Sequence, residues 1–95
     1  MVKHIVVWKL KENVNGKSKE ENALFIKKAV ESYNWGIDGM IKIEIGINFS
    51  IAEESSDIVL YSEFATREDF DKYLKLDHGG IVPFASERRI ISYEI

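Results

Sequence analysis

The first ten residues carry more apolar side chains than a strand with one wet face can use. Neighbouring side chains of a strand point to opposite faces, so a half-buried strand alternates apolar with polar. Here Val2, Val6, Trp8 and Leu10 share one face with His4, while Ile5 and Val7 are apolar on the other. This strand needs cover on both sides. Ile41, Ile43, Ile45 and Ile47 alternate with Lys42, Glu44 and Gly46, predicting a second strand with one apolar face. Asp57 to Phe64 predicts a third, with Ile58, Leu60 and Phe64 on one side and Val59 and Tyr61 on the other. Arg89 to Ile95 predicts the last.

Two segments switch to helical spacing. Ser18-x-x-Glu21 fits a capping box, in which each side chain bonds the other residue's free backbone N–H. Behind it Phe25, Ile26, Ala29, Val30 and Tyr33 form one stripe. Thr66 opens the second helix, with Asp69 three residues on and Phe70, Tyr73 and Leu74 as its buried side. It is expected to end around Asp77-His78-Gly79-Gly80, since paired glycines are unfavourable inside a helix. Glu12 to Lys17, containing Asn15-Gly16, reads as a loop with turn chemistry. Ile81 to Glu87 reads as a short helical turn past Pro83.

The order is β-α-β-β-α-β, in one α+β domain over residues 1–95. Strands one and three are apolar on both sides, as central strands are, which gives the ferredoxin-like arrangement around a four-stranded antiparallel sheet. Right-handed crossovers place both helices on one face. Burying a large apolar side chain is worth about 1.5–3 kcal/mol, so a bare second face is a substantial loss. The expected cover is a second copy of the chain, in a homodimer packed sheet face to sheet face.

Composition narrows the partners. The 13 Lys and Arg against 16 Asp and Glu give a net charge of -3, without the clustered basic face that nucleic acid requires. No apolar run approaches the roughly 18 residues that span a bilayer, so no membrane partner is expected. A strand beginning beside Met1 leaves no room for a signal peptide. Cysteine is absent, which excludes disulfides, thiolate metal sites and cysteine nucleophiles. A cytoplasmic location is the expectation.

Four stretches together resemble one family, the stress-responsive dimeric α/β-barrel (Dabb) proteins. Val2-Lys3-His4-Ile5-Val6-Val7-Trp8-Lys9-Leu10-Lys11 resembles the family's opening "(I/V)KHIVxFKxK", and Ile45-Gly46-Ile47-Asn48-Phe49 its "xVGxNF" segment. Val59 to Phe64, followed by Arg67-Glu68-Asp69-Phe70 and Tyr73, is similar to "VLxSEFxxxEALxxY". Arg89-Ile90-Ile91-Ser92-Tyr93-Glu94 is similar to "RxVxDYE". The resemblance implies two protomer sheets closing into a dimeric α/β barrel. It does not imply one activity. A plant branch of the family is a cofactor-free polyketide cyclase that uses a His and a Tyr, and carried over this implies His78 as base, Tyr73 as its partner and His4 as a pocket-lining polar group. The family pattern "YxxHPxH" is one residue shorter here, Tyr73-Leu74-Lys75-Leu76-Asp77-His78, without the first His and the Pro. On one continuous helix a spacing of five sets Tyr73 and His78 about 140° apart, too far round to meet at one substrate.

Each candidate has a plainer role beside its chemical one. His4 is either a proton-exchanging group in an apolar pocket or a histidine satisfied by backbone or partner-chain groups. His78 is either a base for an acidic methylene or a helix-end histidine beside exposed carbonyls. The Tyr73 hydroxyl either polarises a substrate carbonyl or simply tips a core ring toward water. Trp8 could pack on the partner sheet; Trp35, beside Gly36, is freer to form a wall or lid. Val6, Trp8, Trp35 and Phe84 are the expected pocket-lining residues. No phosphate loop, nucleophile elbow or His-x-x-x-His pattern occurs, so neither cofactor nor metal is expected. The leading expectation is a dimeric barrel binding a small hydrophobic molecule between helices and sheet. Cofactor-independent cyclase-like or quinol-monooxygenase-like chemistry is the second, and a purely structural dimer the third.

Overall fold

A computed structural model describes residues 1–33, 35–50, 52, 55–75 and 81–95. The main sheet is built from β1 (Val2–Leu10), β4 (Met40–Ile47), β5 (Ile58–Phe64) and β6 (Ala85–Glu94), in the order β4-β5-β1-β6. Every pairing is antiparallel. The two-sided strands β1 and β5 are the central ones. A small hairpin, β2 (Asn13–Val14) with β3 (Lys17–Ser18), occupies the segment expected to be loop. Asn15 and Gly16 turn it with φ of 56° and 75°, the left-handed conformation that a two-residue hairpin turn requires.

Helix α1 (Lys19–Ser32) starts on the complete capping box: the Ser18 hydroxyl accepts from the Glu21 N–H, and the Glu21 carboxylate accepts from the Ser18 N–H. Helix α2 (Arg67–Leu74) starts on Thr66, whose hydroxyl accepts from the Asp69 N–H. It ends at Leu74, earlier than expected, and Leu74 is exposed rather than part of the buried side. Asp77, His78 and the glycine pair lie outside the described residues. Val82–Phe84 form the short helical turn containing Pro83.

Burial on β1 and β5 alternates without exception. Val6, Trp8, Leu10, Ile58 and Leu60 pack with Ala23 and Ile26 of α1, and Val2 and Phe64 pack with Tyr73 of α2. Both helices therefore cover the same sheet face. On β4 the alternation runs through Ile43 and Ile45, but Ile41, beside a register shift between Met40 and Lys42, and Ile47, at the strand's end, are both exposed, against the expected run of four isoleucines.

Among the described residues nothing covers the opposite face. Register places Tyr61, Ile5 and Ile91 in one row across three strands, and Val59, Val7 and Arg89 in the next. Ile91 is 58% exposed and Tyr93 42% exposed. Charges frame this apolar centre. Lys9 and Arg89 both reach Glu87, at 3.9 and 2.7 Å, and Tyr61 donates to Glu63 at 2.5 Å beneath the Lys42 ammonium. That hydrogen bond, followed by partial desolvation, pushes the Tyr61 phenol up to about 12.

Candidate functional site

The helices do not close completely on the sheet they cover. Between them lies a cavity of about 560 Å³, within the range of small-molecule sites. Its floor is fully buried and comes from the central strands: His4, Val6 and Trp8 of β1 and Leu60 of β5. Ile26 and Tyr73 supply buried walls from the two helices. The mouth is formed by exposed residues, among them Phe25, Tyr33, Leu74, Val82 and Ile90. Phe25 and Tyr33 thus belong to the apolar stripe of α1 but flank an opening instead of filling the core. A largely apolar lip is costly to leave in water, and such residues recur where a ligand or partner is received.

His4 is the buried polar group of the floor, 4% exposed. Register places it opposite Ser92 on β6, whose hydroxyl lies 2.7 Å from Nδ1. A serine can donate to a bare Nδ1 or accept from a protonated one, so this bond holds the ring in place in either tautomer. The imidazole packs against Phe70, centroids 5.0 Å apart, and edge-on to Tyr73 at 5.9 Å. Both His4 and Trp8 therefore face their own helices; the alternative that they meet a partner chain across the bare sheet does not hold. Burial pushes the Tyr73 phenol up, which keeps it protonated and able to donate throughout the neutral range.

Trp35 forms an end wall. Its indole N–H donates to the Val30 carbonyl at 3.4 Å, and its ring lies 4.7 Å from Tyr33 and 6.0 Å from Tyr73. Of the expected pocket-lining residues, Val6, Trp8 and Trp35 line the cavity. Phe84 instead packs on the core and faces the Phe25 ring at 6.0 Å. The His4 and Tyr73 rings lie 5.9 Å apart, and His78 lies outside the described residues. Ser92 and Arg88, both lining the cavity from β6, were not legible in the sequence, because nothing there fixes which β6 residue stands opposite which β1 residue.

A second hollow, about 530 Å³, sits at the far end of the sheet. Three of its charged groups engage one another: Lys19 reaches Glu12 at 3.4 Å and Asp57 at 3.6 Å, and Asp57 accepts from the Leu10 N–H at 2.6 Å. Among the described residues no three His, Cys, Asp or Glu side chains converge as a metal site, and no helix is long and apolar enough to cross a membrane.

The arrangement is that of a ferredoxin-like domain with a ligand-sized cleft under its helices. The chain belongs to the Dabb family: the model of the stress responsive A/B barrel domain matches residues 2–94. A dimeric ferredoxin-like protein of unknown function from Bacteroides fragilis NCTC 9343 is 31% identical, with a TM-score of 0.79 over 99% of this chain and 95% of that one. A Dabb family protein from Mesorhizobium loti is 22% identical, with a TM-score of 0.65 over 99% and 95%. The hydroxynitrile lyase of Passiflora edulis shares the fold at 14% identity, with a TM-score of 0.70 over 99% and 92%. No curated protein matches the sequence.

Proposed function

We propose that this protein is a homodimer that binds a small hydrophobic molecule in the cleft between helices and sheet. The observation that carries the reading is the cavity itself, an apolar space of about 560 Å³ with a buried His4 on its floor. A purely structural protein gains more by filling such a space, because an apolar void forfeits the contacts its lining would otherwise make. The dimer reading is supported by the apolar rows Tyr61-Ile5-Ile91 and Val59-Val7 inside a charged frame, the usual anatomy of an interface. The Bacteroides protein, itself described as dimeric, lends it weight.

A second reading makes the cleft an active site for cofactor-independent chemistry on a polyketide-like or quinol compound. The closeness of His4 and Tyr73 at the cavity favours it: an imidazole can take a proton while a neutral phenol donates to the oxygen that gains charge. His78 keeps its place in that reading as the family-implied base.

A thermal-shift and tryptophan-fluorescence screen of hydrophobic aromatics, polyketides and quinols tests the binding reading, since Trp8 and Trp35 both line the cavity. Ligands at one hundred times their Kd stabilise by about 2.7 kcal/mol, a shift of several degrees. Saturable quenching with a raised Tm is the expected result. No response from any compound would move the protein to the structural reading. Turnover that disappears in His78→Ala, with binding retained, would establish the second.

A further inference from the structure

The cavity lining is strongly asymmetric in charge. Among its described residues Arg88 is a permanent cation, His4 a potential one, and no acidic side chain lines the space. Arg88 has no ion pair among the described residues. The nearby Glu87 is engaged on the opposite sheet face by Lys9 and Arg89. Alternation along β6 places Arg88, Ile90 and Ser92 on the cavity side, opposite Trp8, Val6 and His4. A cation thus stands at the exposed edge of a largely apolar, strongly aromatic hollow, and the buried His4, bonded to the exposed Ser92, stands at the other end of the same row. Four strand steps separate Arg88 from Ser92, about 13 Å along the backbone.

We propose that Arg88 is the headgroup site for a ligand carboxylate, so that the cleft takes an apolar monocarboxylic acid, an aryl-alkanoic acid in particular. This deepens the reading of the cleft as a ligand site and rests on it. The guanidinium presents parallel N–H donors that match a carboxylate in bidentate fashion. The acid's chain then runs inward over Trp8 and Ile90, and its ring lies among Trp35, Phe70 and Tyr73. A single guanidinium suits a monoanion; a phosphate or polyphosphate ligand calls for several donors, and no second permanent cation lines the cavity among the described residues.

The test titrates the full-length protein with 6-phenylhexanoate and with 6-phenylhexan-1-ol, following tryptophan fluorescence and calorimetry. The acid is expected to bind about tenfold more tightly than the alcohol, and its advantage to shrink as salt rises. In Arg88→Gln the acid loses that advantage while the alcohol binds as before, which also reports an intact fold. Equal binding of acid and alcohol, or an acid advantage that survives Arg88→Gln, overturns the headgroup site and leaves the cleft reading standing. Failure of both compounds to bind overturns the two together.

Discussion

The two faces of one sheet are made by the same strands and meet different fates. On the helix side, β1 and β5 present Val2, Val6, Trp8, Ile58, Leu60 and Phe64, each buried by the chain's own helices. On the other side the same strands present Ile5, Val7, Val59 and Tyr61, and β6 adds Ile91 and Tyr93, with nothing from the described residues above them. Both faces have an apolar centre, but the second is framed by charges such as Lys9, Glu63, Glu87 and Arg89. A 95-residue chain has two helices to spend, and both crossovers deliver them to one face. A small domain's sequence can thus carry an apolar centre on the face its own helices do not reach, and the proposed dimer rests on that centre.

The sharpest way to break this comparison is one charge on each face. Ile5→Asp buries a carboxylate in the proposed interface, and two-fold symmetry counts it twice. At about 1.5–3 kcal/mol for each apolar side chain lost, the dimer weakens by about 3–6 kcal/mol, at least about a hundredfold in Kd. Size-exclusion chromatography should show a monomer. Phe64→Ala on the helix face should instead lower folding stability by about 3–5 kcal/mol in urea titrations, since Phe64 has 0% of its surface exposed. If both substitutions act alike on assembly and on folding, the distinction between the faces is wrong.

Smaller effects sharpen the helix side. Ser92→Ala removes the hydroxyl 2.7 Å from His4 Nδ1, and is expected to cost about 0.5–1.5 kcal/mol in stability. An imidazole NMR resonance that does not move would show that Ser92 does not position the ring. The smallest effect is alkaline. Tyr73, through burial, and Tyr61, through its bond to Glu63, both hold their protons more tightly folded than unfolded. Their contribution is complete below the ordinary tyrosine value of 10.0 and is lost as pH climbs through the folded values, about 12 for Tyr61. Urea midpoints should therefore fall between pH 9 and 11.5, and less so in Tyr61→Phe.

Much of the fold was legible because its signals are local. The Ser18-x-x-Glu21 box, the Thr66 cap and the two-sided runs of β1 and β5 each state a fact about their own neighbourhood. The departures are tertiary. The shift at Met40/Lys42, beside the exposed Ile41, depends on how β4 meets β5. Phe25 and Tyr33 look like core by helical spacing, yet they edge a cavity, Phe25 against Phe84 and Tyr33 against Trp35. For the site, His4, Tyr73, Val6, Trp8 and Trp35 could be chosen from polarity and resemblance. Ser92 and Arg88 could not, since their places follow from the register of the last strand against the first. Phe84, an expected pocket-lining residue, packs on the core cluster instead.

Equilibrium sedimentation of the unmodified chain tests the assembly most directly. Twice the chain's mass at micromolar concentration, falling to the single mass in Ile5→Asp, is the expected result. A single mass at every concentration would mean that the row of Tyr61, Ile5 and Ile91 faces water, and that the dimeric barrel does not form.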